Sequence, residues 1–231
     1  MKFNKKLLQG TLIKRYKRFF VDIKYQNKTI TAHCPNSGSM MGLLKLGNIV
    51  WFSTSDDPKR KLKYTLEMIE VNKKLVGINT HLTNKIVFEA LKNKKIKSLI
   101  KFNNIKPEVK FNDKTRFDFL ISNDREKCFL EVKNVTLLRK NNIAEFPDAV
   151  TARGTKHLGE LANQVAAGDR AVMYYLIQRQ DCDKFTVAKD IDPAYAAALE
   201  KATTAGVEVI CYGCKLTPEG IQVISPLSLE I

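Results

Sequence analysis

Between residues 8 and 80 the apolar positions fall in short runs, alternating with polar ones and divided by Gly, Pro, Asn and Asp. A period of two marks a half-buried strand, and it predicts strands over residues 11–25, 29–34, 49–54, 64–71 and 75–79. Five such strands suit a small closed barrel of the oligonucleotide/oligosaccharide-binding (OB) kind, with Trp51 in its core. Near residue 80 the period changes to that of a helix. Thr80 can cap it, Ile86, Val87, Ala90 and Leu91 give its apolar face, and Glu89 lies beside that face. Strands follow over 107–111, 116–122 and 128–135, then a helix over 155–167 that stops at Gly168. An apolar strand over 171–178, a helix opened by Asp192-Pro193 and ended by Gly206, and a strand over 207–216 complete the pattern. The expectation is a two-domain α+β chain: a small OB-like β-barrel over 1–80, and an α/β domain with a central mixed sheet over 81–231, ordered helix, three strands, helix, strand.

Composition narrows the classes. With 44% hydrophobic and 27% charged residues among 231, the chain can build an ordinary core, which excludes collagen-like and wholly disordered classes. No apolar run approaches the roughly 18 residues that span a bilayer. Positive charges open the chain, but only Leu7 and Leu8 follow before Gln9 and Gly10, so the apolar core of an export signal is missing and a cytoplasmic protein is expected. The five cysteines, odd in number and scattered, suit reduced thiols.

Charge changes the picture more. The formal net charge of +15 is uneven: residues 1–115 carry 25 basic and 8 acidic side chains, and residues 116–231 carry 14 and 16. A cationic first half attracts polyanions, of which nucleic acid is the commonest large one. The alternative is lysine filling ordinary solvated faces. Arrangement favours a binding surface, because Arg15, Lys17 and Arg18 are interleaved with Tyr16, Phe19 and Phe20, the mix that pairs phosphate contacts with stacking surfaces. Phe19 and Phe20 can equally face the core. Lys59 and Arg60, after an Asp-Asp-Pro turn, can extend the surface, and a loop at Asn36 can offer amides and a side chain to a phosphate or base. The basic segment 92–101 could instead meet an anionic membrane, though a membrane partner is not the expectation.

Three charged residues stand in apolar strands: Asp118 in Phe-Asp-Phe-Leu-Ile, and Glu131 and Lys133 in Phe-Leu-Glu-Val-Lys. Residues two apart share a strand face, and unpaired charges there cost several kcal/mol. A plain Glu131–Lys133 salt bridge would satisfy two of them. A hard-cation site would satisfy all three, with Asp118 and Glu131 as oxygen ligands of Mg²⁺ or Mn²⁺ and Lys133 stabilising charge on a phosphate. This acid followed by Glu-x-Lys, with a helix ahead and another behind, resembles the PD-(D/E)xK nuclease superfamily, although Phe117 replaces the proline. The resemblance implies an added glutamate, Glu89 on the first helix or Glu108 on the strand before Asp118, and a polar residue on the later helix, Lys156 or His157. Asp148 and Arg153, in the segment between, could approach the same site. Cys211 and Cys214 have zinc-knuckle spacing but no second pair. His33, Cys34, Ser37 and Ser39 lack the strand-to-helix elbow of a nucleophile.

Longer strings carry a closer likeness: Arg15-Tyr-Lys-Arg-Phe, His33-Cys-Pro-Asn-Ser-Gly-Ser-Met, Arg116-Phe-Asp-Phe, Glu131-Val-Lys-Asn-Val-Thr-Leu and Phe146-Pro-Asp-Ala-Val-Thr-Ala-Arg-Gly-Thr-Lys-His-Leu. Over nearly the whole chain these resemble the bacterial sugar fermentation stimulation protein A family. That resemblance implies DNA binding, a link to sugar, notably maltose, metabolism, and an OB-like domain joined to a nuclease-like one. The expected function is sequence-tolerant DNA binding with a metal-dependent phosphodiesterase site. The alternative is a non-catalytic DNA-binding regulator of sugar metabolism with a vestigial nuclease fold.

Overall fold

The computed structural model describes residues 1–112, 115–140 and 142–230. Strands β1 (Leu8–Tyr16), β2 (Phe20–Tyr25), β3 (Lys28–His33), β4 (Ile49–Thr54), β5 (Tyr64–Val71) and β6 (Lys74–Gly77) form one sheet in the order β3-β2-β1-β4-β5-β6. Parallel pairing of Ala32 and His33 with Tyr64 and Thr65 closes the first five into a barrel. Its inward positions, Leu12, Val21, Ile23, Ala32, Val50, Phe52 and Leu66, are fully buried. The expected strand 11–25 is in fact a hairpin. It reverses where Lys17 (φ 45°) and Arg18 (φ 63°) take left-handed backbone, a conformation that Gly or Asn would normally announce. Neither Phe19 nor Phe20 reaches the core: Phe19 is exposed, and Phe20 stacks on Tyr16 at 5.6 Å.

After the barrel, Asn79 caps a 3₁₀ turn, Thr80–Leu82, by accepting from the His81 amide, and α1 (Thr83–Lys92) follows. Thr80 is therefore not the cap of α1; its hydroxyl donates to the Pro35 carbonyl at 2.8 Å. The chain continues through β7 (Asn104–Asn112), β8 (Thr115–Ser122), β9 (Lys127–Val135), β10 (Leu137–Lys140), β11 (Asn142–Phe146), α2 (Ala152–Ala166) and β12 (Arg170–Ile177). It ends with β13 (Cys182–Val187), α3 (Pro193–Thr204), β14 (Glu208–Thr217), β15 (Gly220–Pro226) and β16 (Ser228–Leu229). The central sheet runs β15-β14-β12-β9-β8-β7, with β9, β12 and β14 parallel and the outer pairings antiparallel. A second sheet, β10-β11-β13-β16, was not expected.

Alternation along β9 decides where the charges go. Cys128, Leu130 and Val132 pack with Ile86 and Val87 of α1. Phe129 and Val135 face the other way, into a cluster with Leu158 and Leu161 of α2, Tyr195 of α3 and Phe185 of β13. Glu131 and Lys133 belong to that second face. The helix expected from 155 begins three residues earlier, because Thr151 accepts from the Gly154 amide and caps it.

One further expectation changes. Trp51 is half-buried and packs not in the barrel core but against the cluster between α1 and the central sheet, which also takes Met1, Leu7 and Met68. Cys211 and Cys214 sit in clusters on opposite faces of that sheet, so they cannot share one zinc ion. Among the described residues no helix is long and apolar enough to cross a membrane.

Candidate active site

Regular pairing of β8 with β9 runs from Ser122↔Lys127 to Phe119↔Leu130. Beyond it the Asp118 side chain takes over the ladder's role, its Oδ2 accepting from the Val132 amide at 2.7 Å. Asn84, in the first turn of α1, donates to Asp118 Oδ1 at 2.7 Å and also to Glu108 Oε1 at 3.2 Å. Burial, followed by the charge of Glu131, pushes the Asp118 carboxyl up to about 6 against these donors.

Glu131 is tuned the other way. Burial works to raise it, but the hydrogen bond from His157 and the charge of Lys133 hold it below the usual carboxylate range. Lys133 Nζ lies 2.7 Å from Glu131 Oε1, and His157 Nδ1 meets the same oxygen. Arg153 Nε donates to His157 Nε2 at 3.4 Å, on the far side of the ring from Glu131. Glu131 Oε2 is buried and has no hydrogen-bond partner among the described residues. Two adjoining acids, one raised by burial and by the charge of the other and one with an unpartnered buried oxygen, are a donor set that a divalent ion would satisfy. No group of three or more His, Cys, Asp or Glu forms a ligand cage among the described residues.

These groups line a cavity of about 700 Å³ whose opposite wall is a barrel loop, Asn36 to Gly38. The loop is built, not loose. Arg15 donates to the carbonyls of Asn36 (2.7 Å), Gly38 (3.0 Å) and Ser39 (3.3 Å), and its Nε to that of Arg18 (2.8 Å). Asp148, from the segment between β11 and α2, accepts from the Met40 amide at 3.1 Å. A Cβ at position 38 would press on the Asp148 carboxylate, which would have to shift. Asn36 is itself buried, with Oδ1 accepting from the Gly38 amide and Nδ2 donating to the Ile78 carbonyl.

The structure thus brings Asp118, Glu131 and Lys133 together, with Glu108 at the rim, 54% exposed and 3.9 Å from Arg116. It does not bring Glu89, which pairs with the Met1 amine at 2.6 Å, or Lys156, which faces solvent while His157 turns inward. Of the expected phosphate contacts, Arg15 is spent on backbone carbonyls, and Asn36 is tied into its loop. Lys17, Arg18, Lys59 and Arg60 stay on the barrel surface, Arg60 reaching Thr65 Oγ1 at 3.0 Å. Asn84 escaped sequence reading, because a polar residue in a helix's first turn looks like a solvated one. Of the two residues expected from the later helix, it is His157 that turns inward, because on a 3.6-residue period it shares a face with Leu161 and Lys156 does not.

Comparison with known proteins agrees with this architecture. Residues 13–78 match the family described as SfsA N-terminal OB domain, and residues 81–220 match the sugar fermentation stimulation protein RE domain. The chain is 52% identical over 223 residues to a sugar fermentation stimulation protein homolog of Pelagibacter ubique, covering 96% of each. It is 47% identical to a homolog of Maricaulis maris, covering 100% of this chain and 99% of that one. Among solved structures it is similar to Pyrococcus furiosus SfsA in complex with Ca²⁺, with a TM-score of 0.90, 27% identity, and 100% and 98% of the two chains covered.

Proposed function

Given that the chain belongs to the sugar fermentation stimulation protein family, we propose that it binds DNA through its basic barrel without strong sequence preference and hydrolyses a phosphodiester bond at the Asp118–Glu131–Lys133 site in a divalent-metal-dependent reaction. The observation that carries this reading is the convergence of those three side chains in one cavity whose other wall is a loop of the barrel. A strand held on the barrel surface would thereby lie against the acids. The description of a relative in complex with Ca²⁺ supports a divalent cation in this family.

Asp118 and Glu131 are the residues to hold Mg²⁺ or Mn²⁺, with Glu108 able to approach from the rim. An ion bound there supplies Lewis acidity toward a phosphoryl oxygen. The protein's own residues divide the remaining work. His157 and Arg153 fix the orientation of Glu131, and Asn84 and the Val132 amide fix that of Asp118. The Lys133 ammonium meets the negative charge that grows on the phosphoryl oxygens. Water adds to phosphorus, the bond from phosphorus to one sugar oxygen breaks, and the proton shed by the water ends on that leaving oxygen. One phosphomonoester and one hydroxyl result.

The test is a nicking assay on plasmid and on short oligonucleotides with Mg²⁺, Mn²⁺ or chelator. Metal-dependent cleavage is expected, lost in Asp118→Asn and Lys133→Ala, with DNA binding retained in Asp118→Asn. No turnover on any DNA form with either metal would remove the catalytic half of the reading. A second reading would then stand: a DNA-binding regulator of sugar metabolism with a vestigial nuclease fold. Its support is that Glu131 is already matched by Lys133 at 2.7 Å and by His157.

A further inference from the structure

On the DNA-binding reading, which leaves the strand form open, the geometry points to a single-stranded partner: the rings of Phe19, His33 and His81 form a track on which successive unstacked bases lie, leading from the β1–β2 turn into the acid cavity. Phe19 stands at the tip of that turn, 43% exposed, with its ring centroid 6.4 Å from that of His33. His33 ends β3 and lies 6.2 Å from His81. His81 is exposed and lines the cavity that holds Asp118 and Glu131. Three rings therefore connect the cationic β1–β2 turn with the candidate scissile position.

Spacing argues for an unpaired strand. The rings are inclined to one another by 37° and 47°, with centroids 6.4 and 6.2 Å apart, so bases lying on consecutive rings can be neither parallel nor at the 3.4 Å rise of a duplex strand. Bases still stacked on one another cannot occupy consecutive rings, whereas a stretched strand can. Bases inside a duplex also have no free face to offer a side chain, and stacking on aromatic side chains is how single strands are held without sequence preference. The charges complement this path: Lys17 and Arg18 precede Phe19 in the turn, and Arg60 reaches Thr65, the β5 residue paired with His33. Burial, with the charges of His81 and Arg60, holds His33 below its usual value, so at neutral pH it is an uncharged ring suited to stacking. The barrel core does not need Phe19, being filled by Leu12, Val21, Ile23 and Phe52.

Fluorescence anisotropy of a labelled mixed-sequence 12-nucleotide single strand and of a hairpin duplex, titrated with the full chain in chelator, tests the track. Each base–aromatic stack removed should cost roughly five- to a hundredfold in affinity. Phe19→Ala and His81→Ala are each expected to weaken the single strand by at least about tenfold and the duplex by far less, with Phe19→Trp restoring single-strand affinity. If the wild type binds both forms and the alanine variants change neither, or weaken both equally, the track is wrong and the DNA-binding reading survives. If the wild type binds neither form, that reading fails and the track fails with it.

Discussion

Asp118 and Glu131 carry the same functional group and are pushed in opposite directions. Asp118, raised to about 6, still takes up a proton in mildly acidic buffer, while Glu131, held low by His157 and Lys133, does not. A divalent ion needs both acids ionised. Below about 6 the proton on Asp118 therefore competes with the metal, and well above that value it does not. Calorimetric titration with Mn²⁺ should show nearly constant affinity from pH 7 upward, then a fall approaching tenfold per unit on the acid side, with about one proton released per ion bound. A flat profile from pH 5 to 8 would remove Asp118 from the ligand set. The three central residues were legible in the sequence because charge in the middle of an apolar strand has to be paired or put to use. Glu89 misled for a simple geometric reason. The buried face of α1 is Ile86, Val87, Ala90 and Leu91, and the residue on that helix turned toward the acids is Asn84, one turn nearer its start.

The loop from Asn36 to Met40 joins the two halves of the cavity, and its clamps make separable predictions. Arg15 was expected on a phosphate because of its charge, yet its value lies in its planar fork, which serves several carbonyls at once. Arg15→Lys keeps the charge and loses the fork. It should lower stability to urea by about 1–3 kcal/mol, the worth of hydrogen bonds to a charged donor, while a change below about 0.5 kcal/mol would mean that the loop is held by other contacts. Gly38→Ala drives a methyl group into the Asp148 carboxylate and should cost about 1–3 kcal/mol by overpacking. In an Asp148→Ala background most of that penalty should vanish, and additive penalties in the double-mutant cycle would contradict the contact. Barrel strands β4 and β5 were readable to the residue because both faces of their alternation are used. The four-stranded sheet was not. Its strands have two to six residues, several of them charged, and Arg139 on β10 is held by Glu145 on the neighbouring strand and by Asp190, which is 51 residues away and leaves no local pattern.

At the scale of the molecule, one cluster joins the barrel to the central sheet, and the sole tryptophan reports on it. Trp51 packs there beside Met68, Ile86 and Phe119. Barrel and sheet domain should therefore unfold together, with tryptophan fluorescence and far-ultraviolet circular dichroism giving coincident urea transitions; fluorescence that changes well before the dichroism would show that the interface opens first. Charge changes sign further along the chain, past α1 and β7. The net +17 of residues 1–115 covers the barrel, α1 and β7, while residues 116–231, which supply Asp118, Glu131 and Lys133, sum to −2. On the proposed reading a polyanion would be drawn to this cationic first half and not to the acids, and would reach the cavity because the barrel holds the rest of the strand. Such binding must be steeply salt-dependent. With Arg15 spent on carbonyls, surface cations of the barrel, among them Lys17, Arg18 and Lys59, would carry the phosphate contacts on the proposed reading. If these and their neighbours neutralise about six phosphates, raising salt from ~50 to ~200 mM should weaken binding roughly a thousandfold. Reversing Arg18 to Glu should lower the slope of log affinity against log salt by about one or two contacts, whereas Asp118→Asn should leave it unchanged. A slope insensitive to Arg18 would move the grip away from the β1–β2 turn, and with it the entry of the strand to the acids.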